Sequence, residues 1–228
     1  MRQIIVLATR NQGKVKELQE MLADFPVEIR SLADFGPLPE VVEDGATFDD
    51  NAYKKALFTA KALGLPALAD DSGLVVEALN GAPGVHSARY AGEKADDAAN
   101  IAKLLRELEG QSDRRAAFVC AISLAVPSGP ALTYEGRCEG QITHEPRGEK
   151  GFGYDPVMFY PPLHKTFAEM ELAEKNRVSH RGMAMAQLRE EFAKVLKWLE
   201  QRLAEGKDPK PDHRAFEHND WSKEVMVK

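Results

Sequence analysis

Short, continuous apolar runs recur along this chain and are separated by polar segments. Runs of this kind are typical of strands that are buried on both faces of a sheet. The predicted strands are Ile4–Ala8, Val27–Ser31, Ala67–Ala69, Leu74–Ala78, Ala116–Val126, Leu132–Cys138 and Val157–Tyr160. The turn sequence Ser128-Gly129-Pro130 joins two of these strands closely, which predicts an antiparallel hairpin and hence a mixed sheet.

Between the strands, apolar residues recur three and four positions apart, as on the buried face of an amphipathic helix. The predicted helices run from Lys14 to about Ala23, from the N-cap Thr47 to Gly64, from an N-cap at Asp96 or Asp97 to Gly110, around Glu171–Val178, and from Ser179 through an apolar stripe that ends at Leu203. The segment His86–Gly92 is predicted to be a loop. Helices that alternate with strands indicate an α/β fold.

Two adjacent carboxylates, Asp70 and Asp71, follow the strand Ala67–Ala69. Neighbouring side chains of a strand point to opposite faces, so a regular strand would send only one of them into a site. Gly73 permits a sharp turn that would let both converge. Paired acids suit Mg²⁺ or general-base work on a water molecule. Asp-Asp-Ser-Gly is also common in turns, and on its own the stretch favours a surface turn.

The polar loop Thr9–Lys14 lies between the first strand and the first helix. It is not a Walker A loop, because the first glycine is missing and Val15 follows the lysine. Asn11, Gly13 and Lys14 nevertheless offer backbone donors and a cation at a helix start, where phosphate binds well. The alternative, an ordinary turn with a solvated lysine, stays equally open.

Three further groups have both a binding and a structural interpretation. The glycine-rich stretch Gly148–Pro156 carries Phe152 and Tyr154, which offer a stacking face for a base or simply pack in a loop. His180 and Arg181, in the first turn of the last helix, oppose its dipole and therefore either meet an acceptor or anion or point into water. Asn51 and Lys55 share one helix face, which is most often a solvated face.

Composition excludes several classes of function. The chain has 228 residues, 43% of them hydrophobic and 29% charged, as in soluble globular proteins. A net charge of −6 argues against binding to a nucleic acid polymer. Cys120 and Cys138 form neither a metal motif nor a disulfide framework, which fits a reducing cytosol. The apolar run Ile4–Ala8 is too short for a signal peptide or membrane span, so we expect a cytoplasmic protein without a membrane partner.

Several motifs occur together in a fixed order. They are Thr9-Arg10-Asn11-Gln12-Gly13-Lys14, Thr47-Phe48-Asp49-Asp50-Asn51-Ala52, Ala69-Asp70-Asp71-Ser72-Gly73-Leu74, Gly81-Ala82-Pro83-Gly84, Ser87-Ala88-Arg89-Tyr90, Gly151-Phe152-Gly153-Tyr154-Asp155-Pro156 and Ser179-His180-Arg181-Gly182. Each motif alone is weak, but the ordered set resembles the ITPase family of purine nucleoside triphosphate pyrophosphatases (XTP/dITP diphosphatases). The resemblance covers a catalytic domain at residues 1–205 and leaves a polar C-terminal extension at residues 206–228.

The resemblance implies an elongated Maf/Ham-type α/β fold, with a long central mixed sheet, flanking helices and two lobes around a deep cleft. It also implies a homodimer and Mg²⁺-dependent hydrolysis of ITP, dITP or XTP to the monophosphate and pyrophosphate. This reaction would remove deaminated purine nucleotides from the nucleotide pool.

The same resemblance assigns roles by position. It implies that the triphosphate is bound by Thr9, Arg10, Asn11, Gln12, Gly13, Lys14 and Lys55, with Ser72 beside them. It implies that Glu43 and Asp71 bind the metal and that Asp71 is the general base. The nucleoside side is matched by Phe152, Gly153, Tyr154, Asp155, Lys175, His180 and Arg181. The match around Glu43 is looser, and the metal ligand could lie one residue away.

Two other functions remain as alternatives at this point. One is a Maf-like pyrophosphatase for pyrimidine or modified nucleotides, which the Ser179–Gly182 and Phe152–Asp155 motifs argue against. The other is a nucleotide-binding sensor without turnover, which the Asp70-Asp71 pair and Lys14 disfavour.

Overall fold

The central feature of the fold is a mixed sheet. A computed structural model describes residues 2–93 and 96–205 and forms these into seven strands in the order β2-β1-β3-β4-β5-β6-β7. The strands are β1 Gln3–Leu7, β2 Val27–Ser31, β3 Ala67–Val76, β4 Arg115–Ala125, β5 Ala131–Ile142, β6 Met158–Tyr160 and β7 Lys165–Thr166. β1 pairs in parallel with β2 and β3, and the remaining pairs are antiparallel. The predicted α/β class, hairpin and mixed sheet are therefore confirmed.

The helices begin where local caps fix them. They are α1 Gln12–Met21, α2 Phe48–Leu63, α3 Asp97–Glu107, α4 Leu172–Val178 and α5 His180–Glu205. Thr47 and Asp50 form a capping box at the start of α2, and Gly64 ends that helix in the left-handed conformation with φ 66°. α1 starts two residues before the predicted Lys14, because Asn11 is its N-cap.

Two other predictions of secondary structure are wrong. α3 ends at Glu107, before the predicted Gly110. Part of the segment that was predicted to be a loop is a 3-10 helix, Gly84–Arg89. Its Ser87 hydroxyl accepts a hydrogen bond from the backbone N–H of Leu74 in β3, which ties this short helix to the sheet.

The stretch around Asp70 and Asp71 is one continuous strand, not two strands joined by a turn. All ten residues of β3 pair with β4, from Ala67 opposite Ala125 to Val76 opposite Ala116. Gly73 has a different role from the predicted one: a Cβ atom there would lie 2.7 Å from both Gly84 O and Phe48 Cε1. Glycine is therefore needed for close packing and not for a turn.

Helices cover both faces of the sheet. α1 and α5 bury Leu18, Leu188 and Phe192 on the face of β3 that carries Leu68. α2 packs small residues, including Ala56 and Ala60, on the face that carries Ala67 and Ala69. By the alternation along a strand, Asp70 faces the α1 and α5 side and Asp71 faces the α2 side. A third apolar cluster joins α3 to the other end of the sheet.

One edge of β3 is open at the position of the two acids. β1 pairs with β3 only at Ala67 and Leu68. Within residues 2–93 and 96–205, the next strand-like pairing on that edge is the bridge between Val75 and Pro83. The chain leaves β1 here through the loop that begins at Thr9, so polar groups from both faces of β3 and from this loop border the same edge.

No helix in the described part of the chain has both the length and the apolar content needed to cross a membrane. The predicted C-terminal extension, residues 206–228, lies outside the described residues, so the division at residue 205 stays a prediction.

Candidate active site

A lysine joins two carboxylates on the α2 side of the sheet. Lys55 Nζ lies 2.8 Å from Asp71 Oδ1 and 2.9 Å from Glu43 Oε1. Lys55 comes from α2, Asp71 from β3 and Glu43 from the segment before α2, so three parts of the chain form this cluster. Although burial opposes its charge, the carboxylates of Asp71 and Glu43 raise the pKa of Lys55, which is therefore an ammonium.

Of the two adjacent aspartates, Asp71 has the more basic carboxylate. Its pKa is raised above the ordinary value, first by burial and further by the negative charge of Glu43. Lys55 and Asn51 act in the opposite direction but do not cancel this effect. A carboxylate with a raised pKa is stabilised when it takes up a proton or when a further cation binds beside it. Both properties suit general-base catalysis and metal binding.

Asn51 is a site residue that the sequence pattern did not identify. It is 0% exposed, and its Oδ1 accepts a 2.8 Å hydrogen bond from the backbone N–H of Gly45. Its Nδ2 donates to Asp71 Oδ2 at 3.4 Å. The usual explanation of the Asn51 and Lys55 spacing, a solvated face, is therefore wrong. The signal that was available is the position of Asn51 beside the apolar stripe of α2.

The donor set on this side fits a hard divalent cation. Glu43 and Asp71 both contact the same ammonium nitrogen, so the two carboxylates already converge on one cation. Asp44 turns away and pairs with Lys54 at 2.5 Å, which favours Glu43 over its neighbour. Within the described residues, no group of three or more His, Cys, Asp or Glu side chains is arranged to hold a metal. Two carboxylates completed by water and phosphate oxygens are the usual ligands of Mg²⁺.

The opposite face of β3 holds a separate ionic cluster. Asp70 Oδ2 lies 2.6 Å from Lys14 Nζ and 3.6 Å from Arg181 Nε, and Arg181 also pairs with Glu17. Burial would raise the pKa of Asp70, but Lys14 and Arg181 lower it below the ordinary value. The predicted convergence of Asp70 and Asp71 is therefore wrong, because the strand is regular. Ser72, opposite Cys120, also lies on the Asp70 face.

The loop Thr9–Lys14 is internally bonded in this structure. Asn11 Oδ1 accepts from the backbone N–H groups of Gly13 at 2.9 Å and Lys14 at 3.3 Å. The donors predicted for phosphate are thus partly used by the cap. Thr9 and Arg10 border an open groove of about 1110 Å³ together with Glu43 and Lys55. Gln12 lies instead in a separate groove against β2.

Phe152, Asp155 and Lys175 are brought together from two segments. The Phe152 side chain is 75% exposed, and Lys175 Nζ lies 4.7 Å from the centre of its ring. Lys175 donates a hydrogen bond to the buried carboxylate of Asp155, which also accepts from the backbone N–H of Phe152 at 2.9 Å. Tyr154 is buried, and its hydroxyl donates to Ser87 O at 2.9 Å, so it anchors this loop and is not a stacking face.

His180 lies beside this group at the start of α5, and its ring is 4.9 Å from that of Phe118. Burial lowers its pKa to about 3, with a further contribution from Lys175 and Arg181. The imidazole is therefore neutral, and of these two residues in the first turn of α5, Arg181 is the one that carries a positive charge. His180 Nδ1 is buried and has no hydrogen-bond partner among the described residues. Ser179 is the helix cap, since its Oγ accepts from the backbone N–H of Gly182 at 3.0 Å.

The chain is similar to named proteins over most of its length. A protein from Desulfotalea psychrophila named dITP/XTP pyrophosphatase is 65% identical over 220 residues, which cover 96% of this chain and 99% of that protein. A protein of the same name from Syntrophobacter fumaroxidans is 66% identical over 202 residues, 89% of this chain and 87% of that protein.

Solved structures and a family model agree with these matches. A HAM1 protein from Coxiella burnetii superposes with a TM-score of 0.82 at 47% identity, over 84% of this chain and 99% of that one. A protein from Mycobacterium abscessus titled nucleoside-triphosphatase and dITP/XTP pyrophosphatase gives 0.72 at 46% identity, over 81% and 97%. The Ham1 family model matches residues 5–191. The resemblance found in the motifs is confirmed, and the chain belongs to the Ham1 family.

Proposed function

We propose that this protein is a Mg²⁺-dependent nucleoside triphosphate pyrophosphatase that hydrolyses ITP, dITP and XTP to the monophosphate and pyrophosphate. Its family and the names of its relatives support this activity. The observation that carries the proposal is the cluster of Lys55 with Asp71 and Glu43, at the open edge of β3 and on the border of the groove that Thr9 and Arg10 line.

Asp71 and Glu43 are the residues that would hold Mg²⁺. When bound there, the ion supplies positive charge that neutralises phosphate oxygens. Asp71 orients the attacking water and accepts its proton, for which its raised pKa makes it a stronger base than an ordinary aspartate. The bond that breaks joins the α- and β-phosphates, since the products are the monophosphate and pyrophosphate.

Cations of this chain hold the phosphate chain in place. Lys55 is already charged and lies beside the proposed metal ligands, and Arg10 borders the same groove. Lys14 is partly exposed, with 33% of its side chain accessible, so its ammonium is able to exchange Asp70 for a phosphate oxygen. Positioning and charge neutralisation are the main contributions to phosphoryl transfer.

A second group of residues selects the base. The exposed ring of Phe152 offers a stacking face, and stacking accepts any purine. His180, as a neutral imidazole, and Arg181 donate hydrogen bonds that suit a 6-keto oxygen. The 6-amino group of ATP would leave such donors unpaired at a cost of about 1–3 kcal/mol, which corresponds to roughly one to two orders of magnitude in selectivity.

The physiological role that follows is removal of deaminated purine nucleotides. A homodimer and a cytoplasmic location accompany this role as further predictions. Size-exclusion chromatography with light scattering tests the first of them directly.

One assay tests the activity: release of pyrophosphate and orthophosphate from a panel of nucleoside triphosphates, with and without EDTA. We expect pyrophosphate from ITP, dITP and XTP, far less from ATP, and none in EDTA. Steady release of orthophosphate from ATP would indicate an ordinary NTPase instead. A preference for pyrimidine nucleotides would indicate a Maf-like enzyme, and tight ITP binding without cleavage would indicate a sensor.

A further inference from the structure

The loop that carries Phe152 has an exposed ring on a tightly held backbone. Gly151 and Gly153, on either side of Phe152, adopt positive φ angles of 79° and 60°. Phe152 is 75% exposed, and its ring contacts Lys175, whose Nζ lies 4.7 Å from the ring centre. With so little of the residue packed, the direction in which this ring points depends on the groups that hold its backbone as well as on Lys175.

Two carboxylates from different parts of the chain hold that backbone. Asp155 accepts from the N–H of Phe152 at 2.9 Å. Asp97, in the first turn of α3, accepts from the N–H of Gly153 at 2.6 Å across 56 positions of sequence. Two successive amides at Phe152 are thus fixed, one from within the loop and one from α3.

Capping of α3 does not account for Asp97. The N-cap is Asp96, whose Oδ1 accepts from the backbone N–H of Ala99 at 2.8 Å. A carboxylate in the first turn also interacts favourably with the helix dipole, but this interaction requires no contact with Gly153. The contact between Asp97 and Gly153 therefore indicates a second role, directed at the Phe152 loop.

We propose that Asp97 is a positioning residue for base binding: its carboxylate fixes Gly153 and so holds the Phe152 ring in the orientation that a purine stacks on. This inference rests on the proposed function, which assigns the base to Phe152. Asp97 lies outside the cluster of Glu43, Lys55 and Asp71, so its loss weakens binding of the base and leaves the hydrolytic step intact.

The test compares Asp97→Ala and Asp97→Asn with Asp96→Ala, a matched control that removes the neighbouring helix cap. The readouts are KM and kcat for ITP, inhibition by inorganic tripolyphosphate, which has no base, and hydrogen exchange of the Gly153 amide. For Asp97→Ala we expect KM to rise about five- to tenfold, as loss of a hydrogen bond to a charged group allows. Gly153 should exchange faster, while kcat and tripolyphosphate inhibition stay unchanged.

Asp97→Asn should recover most of the affinity, since the amide oxygen still accepts from Gly153. Asp96→Ala should change neither KM nor Gly153 exchange. Unchanged exchange or an unchanged KM in Asp97→Ala would overturn the positioning role, as would an Asp96→Ala variant with the same defects. These results presuppose that the wild-type protein cleaves ITP. If it does not, the proposed function fails, whereas a cleaving wild type with an unaffected Asp97→Ala variant overturns the positioning role alone.

Discussion

Asp70 and Asp71 are neighbours on β3, and their carboxylates lie on opposite faces of the sheet with pKa values shifted in opposite directions. Asp70 is held by Lys14 and Arg181, which keep it ionised. Asp71 is more basic than an ordinary aspartate because burial is only partly offset by Lys55. The regular strand thus separates an acid that stabilises an ionic cluster from an acid that is available for chemistry.

We expect Asp71→Asn to lower kcat for ITP hydrolysis by about 10²–10⁴-fold, the usual contribution of a general base. The fold should persist, because the substitution removes a buried charge that is only partly compensated. Initial rates of pyrophosphate release and the circular dichroism melting curve provide the measurement. Near-normal hydrolysis by this variant would remove Asp71 from the chemistry.

Asp70→Asn is the matched control, because it removes the same charge from the other face. It leaves Lys14 and Arg181 without their shared partner. We expect a loss of about 1.5–3 kcal/mol in the free energy of unfolding, together with turnover that remains measurable. An inactive but fully stable Asp70→Asn variant would contradict this division of roles.

The strands that are continuous apolar runs could be predicted from sequence, since burial on both faces leaves a pattern in the residues themselves. For β3 the sequence predicts a turn instead, because Asp-Asp-Ser-Gly has the local composition of a turn. Pairing along the whole of β4 overrides that preference, and Gly73 serves the contact with Phe48 and Gly84. Such information lies in the partner strand and not in the stretch itself.

For the candidate site too, the information that the local sequence lacks lies in the elements packed against it. Spacing shows that Asn51 and Lys55 share a helix face, but only the packing of α2 on β3 shows that this face looks inward. The contact of Asp97 with Gly153 joins residues far apart in sequence and leaves no local signal. The neutral state of His180 depends on burial, which its position at a helix start does not reveal.

Glu43→Gln should raise the Mg²⁺ concentration required for half-maximal activity by about tenfold or more, because an amide is a weaker ligand than a carboxylate for a hard cation. Magnesium titrations of pyrophosphate release at saturating ITP measure this. Asp44→Asn is the control, since Asp44 pairs with Lys54 away from Asp71. Should Asp44→Asn show the larger shift, the metal ligand would be the neighbouring residue.

Asn51→Ala should reduce both stability and turnover. It leaves the Gly45 N–H without its acceptor, at a cost of about 1–3 kcal/mol in the free energy of unfolding. It also removes a donor that lowers the pKa of Asp71, so the acid limb of kcat should move to higher pH. Urea unfolding and a pH–rate profile measure the two effects.

Asn51→Asp separates these effects, because it keeps an acceptor for Gly45 and adds a further carboxylate, besides Glu43, next to Asp71. We expect stability closer to the wild type than in Asn51→Ala, with a still larger shift of the acid limb. A pH profile that neither variant changes would show that Asn51 supports the loop only.

The neutral state of His180 predicts a specific dependence of stability on pH. Its folded pKa, about 3, lies below its ordinary value of 6.5, so below that value the unfolded chain binds a proton that the folded chain does not. This contribution to stability is present above pH 6.5 and is lost as the pH falls. Between pH 7 and pH 5, the free energy of unfolding of the wild type should drop by about 2 kcal/mol more than that of His180→Gln, which does not titrate. Urea unfolding at both pH values measures the difference, and contributions from groups that the two proteins share cancel. Equal changes in the two proteins would mean that the imidazole is accessible to protons in the folded state, and the neutral donor assigned to the 6-keto oxygen would then be wrong.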